Sequence, residues 1–508
     1  SGRSEQPISR VGIYVPCNTP LIHRAEYELL DDFRGTVLSE HYFALAIGHA
    51  LVATLEHVPN VMDGANDEML RGEVNGLLGS ELSETLPLFA GIRTYLNREL
   101  LETQRAMNKP DDHAFYENTF SFASVVVPLM HICAKDVPKL AGTHFLLLID
   151  DAHVLNPGQT RCLNSWIAYR DHSLFSFKVA TAKGGTRTKT PATGGVILEG
   201  HDYTTIDLEA PYVNKGSNFY HLASRLIKKR LERIGVSATP EEFFPLNESM
   251  SFELEKFKEI ARKEAEQKYD DSKSISDYVY KYARAMYFRS LSSKANRPPY
   301  SGFETLVFLS TGVVRNLLEP CYWMFDDALS ELDSNLKSDG HPAIELIPAE
   351  IQTRVILRLS ERIWGWLEND IARDIEDCNS EDGNRAFQLL DALAGHFRER
   401  LKHHKSEPRA LSFTISERDS ALLPDLLRIV EILRRAQLIY IRRGPAKDKG
   451  RREEYFIPNR ILWPIRGLDP IGQHARVSIR ASVLWSAAES GVLPLADANR
   501  EPELWDED

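Results

Sequence analysis

The feature that most constrains the fold is an apolar run at residues 145–149 that ends in two adjacent carboxylates, Asp150 and Asp151. An unbroken apolar run of this length is typical of a parallel strand buried on both faces. The carboxyl ends of such strands open onto the crevice in which α/β sheets hold ligands. One carboxylate there can hold a Mg²⁺ ion that bridges nucleotide phosphates, and the next can orient or deprotonate a water molecule. The alternative is a buried strand that ends at a solvated turn.

Length, charge and cysteine spacing narrow the class of protein. With 508 residues the chain is too long for one hydrophobic core and predicts about three domains. Its net charge of −12 means that any nucleic-acid contact must come from a local basic patch. The five cysteines lack C-x-x-C spacing, which disfavours zinc and disulfides and fits a reducing cytosol. Without a long apolar span or a signal peptide, we expect a cytoplasmic protein with no membrane contact.

The order of the predicted elements divides the chain into three domains and a tail. Strands alternate with helices over residues 1–216, which predicts an α/β fold with a three-layer, mostly parallel sheet. Amphipathic helical patterns alone fill residues 217–338. Residues 339–490 carry helices followed by two strands around a long polar turn, which is typical of a winged-helix domain. Residues 491–508 are an acidic tail.

Individual elements follow from apolar periodicity and turn residues. Strands are expected at 11–15, 145–149, 175–181, 203–208, 411–415, 438–441 and 454–457. Longer helices are expected at 36–58, 85–107, 115–137, 156–169, 217–233, 251–269, 274–290, 310–332, 348–375, 384–403 and 424–436.

Two further residues stand where the nucleotide site of an AAA+ ATPase would place them, and the Asp150–Asp151 pair itself has the Walker B pattern of that class. Thr181 ends the next strand, the position of sensor 1, and its hydroxyl can both donate and accept. Arg315 follows Ser-Thr-Gly at a helix start and resembles the sensor 2 arginine, whose planar fork binds phosphate oxygens. The alternatives are a strand-terminal threonine without function and an arginine on a solvated helix face.

A basic segment interrupts the acidic carboxy-terminal region. Between Arg434 and Arg452 the chain has eight basic residues and one acidic residue, Asp448. A basic β-ribbon can neutralise phosphates along a duplex, with salt-dependent and largely sequence-independent affinity. The alternative is a flexible solvated loop, but next to a winged-helix pattern we predict contact with double-stranded DNA. The residues predicted to bind DNA are Arg442, Arg443, Lys447, Lys449, Arg451 and Arg452.

Taken in order, these segments resemble the bacterial and archaeal branch of the origin-recognition-complex-like initiator ATPases. These are AAA+ proteins whose P-loop NTPase core is followed by an all-α lid and a winged-helix domain. The resemblance implies ATP and Mg²⁺ as ligands. Asp150 would position the metal, and Asp151 would polarise water. Thr181 would sense the γ-phosphate, and Arg315 would couple the lid to the nucleotide.

The resemblance also implies assembly with a protein partner or with further copies of the chain. In such assemblies an arginine finger from a neighbour completes the site, and Arg170 and Arg187 are the candidates in this sequence. Many bacterial relatives resemble parts of defence or mobile-element systems.

The sequence departs from the family pattern at two points. The phosphate loop Gly-x-x-x-x-Gly-Lys-[Ser/Thr] is not in it, and its nearest imitation, at 184–190, has the wrong spacing. Asp151 stands where hydrolysing relatives usually carry the longer glutamate. In the family the phosphate loop and its central strand lie upstream of the strand at 11–15, and a core without that strand would leave backbone groups unpaired. We therefore expect that this segment has been removed or is supplied by another polypeptide, or else that the protein is a true pseudo-ATPase. The chain also opens without methionine, which fits a processed or truncated product.

Two hypotheses follow. The first is an ATP-dependent DNA-binding switch protein, which hydrolyses ATP if the phosphate loop is supplied. The second is a catalytically inactive scaffold subunit with the same fold that binds DNA or a protein partner.

Overall fold

The computed structural model of the protein divides into two compact units, Ser1–Ile206 and Asp207–Asp508, each with its own hydrophobic core. The boundary lies near the one predicted after residue 216, and the further division of the second unit at 338/339 stays a prediction. The structure describes residues 7–17, 32–108, 118–168, 173–182, 188–206, 217–293, 298–331, 344–375, 377–403, 409–445, 452–471 and 473–493.

A parallel three-stranded sheet forms the centre of the first unit. Phe145 on the middle strand stands opposite Val11 on one neighbour and Phe175 on the other. Side chains along the middle strand alternate between buried and half-buried, because successive residues of a strand point to opposite faces. The strand predicted at 145–149 is confirmed. Its predicted burial on both faces is correct for one face, whereas the side chains on the other face are half-buried. In the order in which they pair, the strands are β1 (Arg10–Pro16), β2 (His144–Asp150) and β3 (Phe175–Val179).

Five α-helices are described in the first unit. The longest buries Phe43 and Ile47, four residues apart, in the same core as the sheet residue Leu147. The second helix was not predicted; it begins after Asn66, whose side chain accepts the N–H of Met69, and it ends at a left-handed glycine. The helices are α1 (Asp32–Glu56), α2 (Asp67–Leu78), α3 (Leu88–Met107), α4 (Val127–Asp136) and α5 (Pro157–Ala168).

The single helix predicted at 115–137 is wrong in its described part. A π-helical turn, Phe122–Val126, precedes α4, and Ser121 caps that turn. Pro128 has no N–H to donate one turn back, so regular α-helical hydrogen bonding cannot run unbroken through it. Residues 109–117 lie outside the described part of the chain.

The strand predicted at 203–208 is also wrong where it is described. Tyr203 forms an isolated bridge with Glu199, and residues 204–206 adopt no strand. The β-propensity of Thr and Ile does not make a strand without a neighbour that satisfies the backbone groups. Residues 207 and 208 lie outside the description.

A buried histidine makes the stability of the first unit depend on pH. His41 is fully buried; its Nε2 lies 2.8 Å from the Thr103 hydroxyl, and its Nδ1 accepts the Phe120 N–H at 2.8 Å. Burial lowers the pKa of His41 to about 4, although the bond from Phe120 acts the other way. The unfolded chain therefore takes up a proton near the ordinary pKa of about 6.5, and the folded chain does not.

We expect stability to be intact above pH 6.5 and to fall as the pH drops from 6.5 through 4, by about 2 kcal/mol at pH 5. The measurement is urea unfolding of the intact protein at pH 7 and pH 5. His41→Gln is the control, since it removes the titration; an equal loss in both proteins would contradict the assignment.

Helices dominate the second unit. Leu306, Val307 and Leu309 are buried in its core. None of the described helices is long and apolar enough to cross a membrane. In chain order the helices are α6 (Asn218–Arg233), α7 (Pro240–Phe243), α8 (Glu248–Glu266), α9 (Ser272–Ser293), α10 (Phe303–Leu309), α11 (Val314–Glu331), α12 (Ala349–Asn369), α13 (Ile371–Asp374), α14 (Ser380–His403), α15 (Leu423–Arg435) and α16 (Ala481–Ser490).

The second unit contains a four-stranded mixed sheet. Its strands are β4 (Ala410–Ser416), β5 (Ile439–Pro445), β6 (Arg452–Pro458) and β7 (Gln473–Arg480), in the order β5-β6-β4-β7. β6 pairs antiparallel with both β5 and β4, while β7 runs parallel to β4. The three predicted strands are confirmed, and the sequence reading missed β7 and α16.

A buried ion cluster ties α9 to the segments that flank β4 and β7. Arg284 of α9 donates two hydrogen bonds of 2.8 Å to the carboxylate of Asp469, and Arg409 approaches the same carboxylate at 3.5 Å. Arg409 also donates to the carbonyls of Tyr280 and Ile471, each at 2.6 Å. Asp469 is 2% exposed, so these contacts replace its hydration.

Candidate functional site

The carboxyl end of β2 holds Asp150 in a fixed orientation. The hydroxyl of Tyr14 on β1 donates to Asp150 Oδ2 at 2.9 Å, and the Asp151 N–H donates to Asp150 Oδ1 at 3.0 Å. The hydrogen bond to this carboxylate, together with its charge, raises the pKa of Tyr14. Sequence reasoning missed Tyr14, although a tyrosine near the end of the neighbouring strand was a usable signal.

Asp151 has an unusual backbone conformation. Its φ of 55° and ψ of 35° lie in the left-handed region, which Asp tolerates better than most residues, and a 3₁₀ turn, Ala152–Val154, follows. Asp151 is exposed, and among the described residues its carboxylate has no hydrogen bond or ion pair. A carboxylate held in this way is available to an incoming ligand.

Thr181 lies at the same edge of the sheet, beyond the end of β3. The strand stops at Val179, two residues before its predicted end. Ala180 then exchanges hydrogen bonds with Ile149 and Ala152, at 2.8 and 2.9 Å. The Thr181 hydroxyl donates to the carbonyl of Ala182 at 3.3 Å and is exposed. The structure thus places Asp150, Asp151 and Thr181 at one edge, as parallel topology predicts.

The donor chemistry at this edge suits Mg²⁺. Carboxylate and hydroxyl oxygens are the ligands that this ion prefers. Each oxygen of Asp150 accepts one hydrogen bond and therefore keeps a lone pair for a cation. Burial, then the charges of Asp151 and Asp150, raise the pKa of the Cys17 thiol to about 12. Within the described ranges, no three His, Cys, Asp or Glu residues are grouped to hold a metal by themselves.

Arg315 is the second residue of α11 in the second unit. The helix predicted from residue 310 begins instead at Val314, because Thr311 and Gly312 have positive φ angles of 53° and 82°. Arg315 is exposed and makes no hydrogen bond or ion pair with the described residues. It shares a shallow depression with Arg230 of α6 and Tyr322. Sequence reasoning missed Arg230, since nothing in its spacing links it to α11.

The turn before α11 is joined to the strands of the second sheet. The Thr311 hydroxyl, which is buried, accepts the Arg460 N–H at 3.1 Å. Asn316 Nδ2 lies 3.4 Å from the hydroxyl of Tyr440 on β5. Val313 packs against the cluster formed by Tyr440, Tyr455 and Ile457. The start of the helix that carries Arg315 is therefore in direct contact with β5 and β6.

The Thr311 contact gives a stability prediction. Thr311→Val keeps the shape of the side chain but leaves the buried Arg460 N–H without its acceptor, which costs about 1–3 kcal/mol. We expect that loss in urea unfolding. Thr311→Ser is the matched control because it retains the hydroxyl. Equal stability of the two variants would mean that this hydrogen bond contributes nothing.

The wing hairpin (β5, β6 and residues 446–451 between them) carries the predicted DNA-binding residues. Arg442 stands opposite Tyr455 in the strand register and is exposed, whereas Arg443 stands opposite Glu454. Arg452 begins β6, and the side chains of Arg443 and Arg452 lie outside the description. Lys447, Lys449 and Arg451 lie wholly outside the described residues.

The helix that precedes the wing hairpin has its own charge partners. Arg428 of α15 pairs with Asp382 at 2.5 Å, and Arg434 pairs with Glu431 at 2.5 Å. Arg435 also approaches Glu431, at 3.4 Å. Two of the eight basic residues counted in the sequence, Arg434 and Arg435, therefore belong to ion pairs on α15, and the other six lie in the wing hairpin.

Fold and site together define the class of protein. A parallel α/β sheet with carboxylates at its carboxyl edge, followed by helices and a mixed sheet, is a P-loop AAA+ fold with helical domains. The chain belongs to the ORC-CDC6-like family, whose family model matches residues 2–274 and 255–479. Neither a curated protein nor a solved structure matches the chain. Proteins of this AAA+ family generally bind ATP with Mg²⁺.

Proposed function

We propose that the protein is an ATP-coupled DNA-binding protein of the initiator type. The observation that carries this proposal is the basic wing hairpin, which follows α15 in the order strand, helix, strand, strand of a winged helix. A basic hairpin in a chain of net charge −12 is a local surface for polyanions. Family membership supports an initiator-type role for it.

The β2 edge would bind the nucleotide. Asp150 would hold Mg²⁺, which supplies charge neutralisation between phosphate oxygens when it is bound. Asp151 would polarise the attacking water, and Thr181 would contact the γ-phosphate. Arg315 would bind phosphate oxygens from the lid side; its exposure and its lack of a partner among the described residues support that role. Such a site works mainly by electrostatic positioning.

Contacts within the second unit support coupling between nucleotide and DNA. The Thr311 turn and Asn316 connect the start of α11 to β5 and to the end of β6. A shift of Arg315 on binding phosphate would move the base of the wing hairpin, because Asn316 on the same helix contacts Tyr440 of β5 and Thr311 accepts the N–H of Arg460, two residues after β6. The hairpin would then bind DNA with a nucleotide-dependent affinity.

Assembly and cellular setting remain part of the proposal. A neighbouring subunit or partner protein would supply an arginine finger, and the two candidates, Arg170 and Arg187, lie outside the described residues. We place the protein in the cytoplasm, in a defence or mobile-element system.

Nucleotide binding by the intact protein tests the enzymatic part. We expect a fluorescent ATP analogue to bind in the presence of Mg²⁺, and Asp150→Asn to abolish the Mg²⁺ dependence. Asp151→Asn should retain binding and lose turnover. Asp63→Asn, an exposed carboxylate change in the same unit, is the control. Absence of ATP binding in the unaltered protein would exclude an ATPase activity.

The second candidate is a scaffold that binds DNA or a protein without hydrolysing ATP. One observation favours it: the Tyr14 hydroxyl already donates to Asp150 Oδ2 and so occupies one lone pair of that carboxylate. This candidate predicts DNA binding that is indifferent to ATP.

A further inference from the structure

Helix α6 presents an unusually basic surface. Its sequence contains five cationic residues and one carboxylate, Glu232. All five cations are exposed, and among the described residues none of them makes a hydrogen bond or an ion pair. The five are Arg225, Lys228, Lys229, Arg230 and Arg233.

Cations on other helices of the second unit behave differently. On α8, Lys258 pairs with Glu255 at 2.6 Å, and on α12, Arg358 pairs with Asp327 at 3.0 Å. On α14, Arg385 pairs with Glu381 at 2.6 Å. Helix α6 has a single carboxylate, Glu232, and within the described ranges no acidic side chain forms an ion pair with its cations.

The buried side of α6 determines where these cations lie. Ala223, Ile227 and Leu231 are buried at a spacing of four residues, which fixes the core-facing side. Arg225, Lys229 and Arg233 are also spaced by four residues, and they form a row of cations on the opposite side of the helix. The other two cations, Lys228 and Arg230, flank this row.

This row works against the stability of the isolated helix. Like charges at i and i+4 destabilise a helix by about 0.2–0.5 kcal/mol per pair. The helix dipole favours cations in the last turn, which accounts for Arg230 and Arg233. It does not account for Arg225, Lys228 and Lys229, which lie further from the carboxyl end. An anion bound along the helix from outside would account for these three cations.

The length of the row indicates an extended anion. Arg225 and Arg233 are eight helical steps apart, or about 12 Å at 1.5 Å per step. A duplex presents about one phosphate charge per 1.7 Å of its axis, so several phosphates can face the row. Without aromatic side chains among the cations, the row would contact phosphates rather than bases.

We propose that α6 is a second DNA-binding surface, which contacts the phosphate backbone of duplex DNA independently of sequence. The proposal rests on the proposed function in that its partner is the same DNA. It adds a contact on a helix that the winged-helix pattern does not include.

The test replaces Arg225, Lys228 and Lys229 with Gln in the intact protein and measures duplex affinity by fluorescence anisotropy across a salt series. We expect affinity to fall by about tenfold or more, and the slope of log affinity against log salt to fall by up to about 2.7, at 0.9 per lost phosphate contact. Circular dichroism checks that the variant is folded.

Two control variants separate local from general charge effects. Gln at Lys256, Lys258 and Lys263 of α8 removes the same charge from an exposed helix and should leave the slope unchanged. The exchange R225K, K228R, K229R keeps the charge of α6 and should preserve affinity. A normal slope in the α6 variant, beside a reduced slope in a wing-hairpin variant, would overturn the α6 proposal alone. Absence of duplex binding by the unaltered protein would overturn both proposals.

Discussion

Neutralising the wing hairpin should abolish most of the affinity for duplex DNA. With all six basic residues of the hairpin replaced by Gln, we expect affinity at about 50 mM salt to fall at least about a hundredfold. The slope of log affinity against log salt should fall by up to about 5, because each lost phosphate contact removes about 0.9. The replaced residues are Arg442, Arg443, Lys447, Lys449, Arg451 and Arg452.

A charge-preserving exchange is the control for this experiment. Replacing each lysine by arginine and each arginine by lysine at the six positions keeps the charge, and the affinity should stay within a few fold, since phosphate contacts depend mainly on charge. Unchanged affinity after neutralisation would mean that the hairpin is a solvated loop and that DNA binding, if present, lies elsewhere.

Removing the buried carboxylate of Asp469 should cause the largest loss of stability in the second unit. Asp469→Ala leaves Arg284 and Arg409, which are 17% and 4% exposed, without their counter-ion. Breaking a buried pair from one side costs about 3–5 kcal/mol, because a charge stays buried without compensation. We expect a loss of this size in urea unfolding, or a failure of the second unit to fold.

An exposed ion pair provides the comparison. Glu255→Ala breaks the pair with Lys258 on α8, whose side chains are 68% and 48% exposed, and should cost less than about 1 kcal/mol. If Asp469→Ala costs no more than Glu255→Ala, the cluster does not stabilise the junction of α9 with the second sheet.

Local patterns predicted most of the strands and most of the helices. The apolar run at 145–149 and the strand at 11–15 were predictable because each is bounded by turn residues or charges. The strand β7 was missed although its sequence, QHARVSIR, alternates apolar and polar residues over its second half, which was a usable strand signal; its parallel partner β4 lies about sixty residues away in the sequence. The isolated bridge at Tyr203 shows the opposite error, a strand-like sequence without a neighbour.

The candidate site was predictable where it depends on strand ends. Asp150, Asp151 and Thr181 follow parallel strands, and topology brings those ends together. Contacts that depend on side chains from distant elements were not predictable, such as the Tyr14 hydroxyl on Asp150. The same holds for the buried Thr311 hydrogen bond, which depends on a positive φ that a β-branched residue rarely adopts.

The effect of Mg²⁺ and ATP on duplex affinity tests ATP-coupled DNA binding most directly. In an anisotropy titration of the intact protein, we expect saturating ATP with Mg²⁺ to change the dissociation constant by about fivefold or more, the usual lower range for coupled sites. Asp150→Asn should remove that change while leaving the affinity without nucleotide intact. Identical affinities with and without ATP, in a protein that binds the duplex, would contradict the coupling between ATP and DNA binding. The scaffold function would then be the candidate that fits.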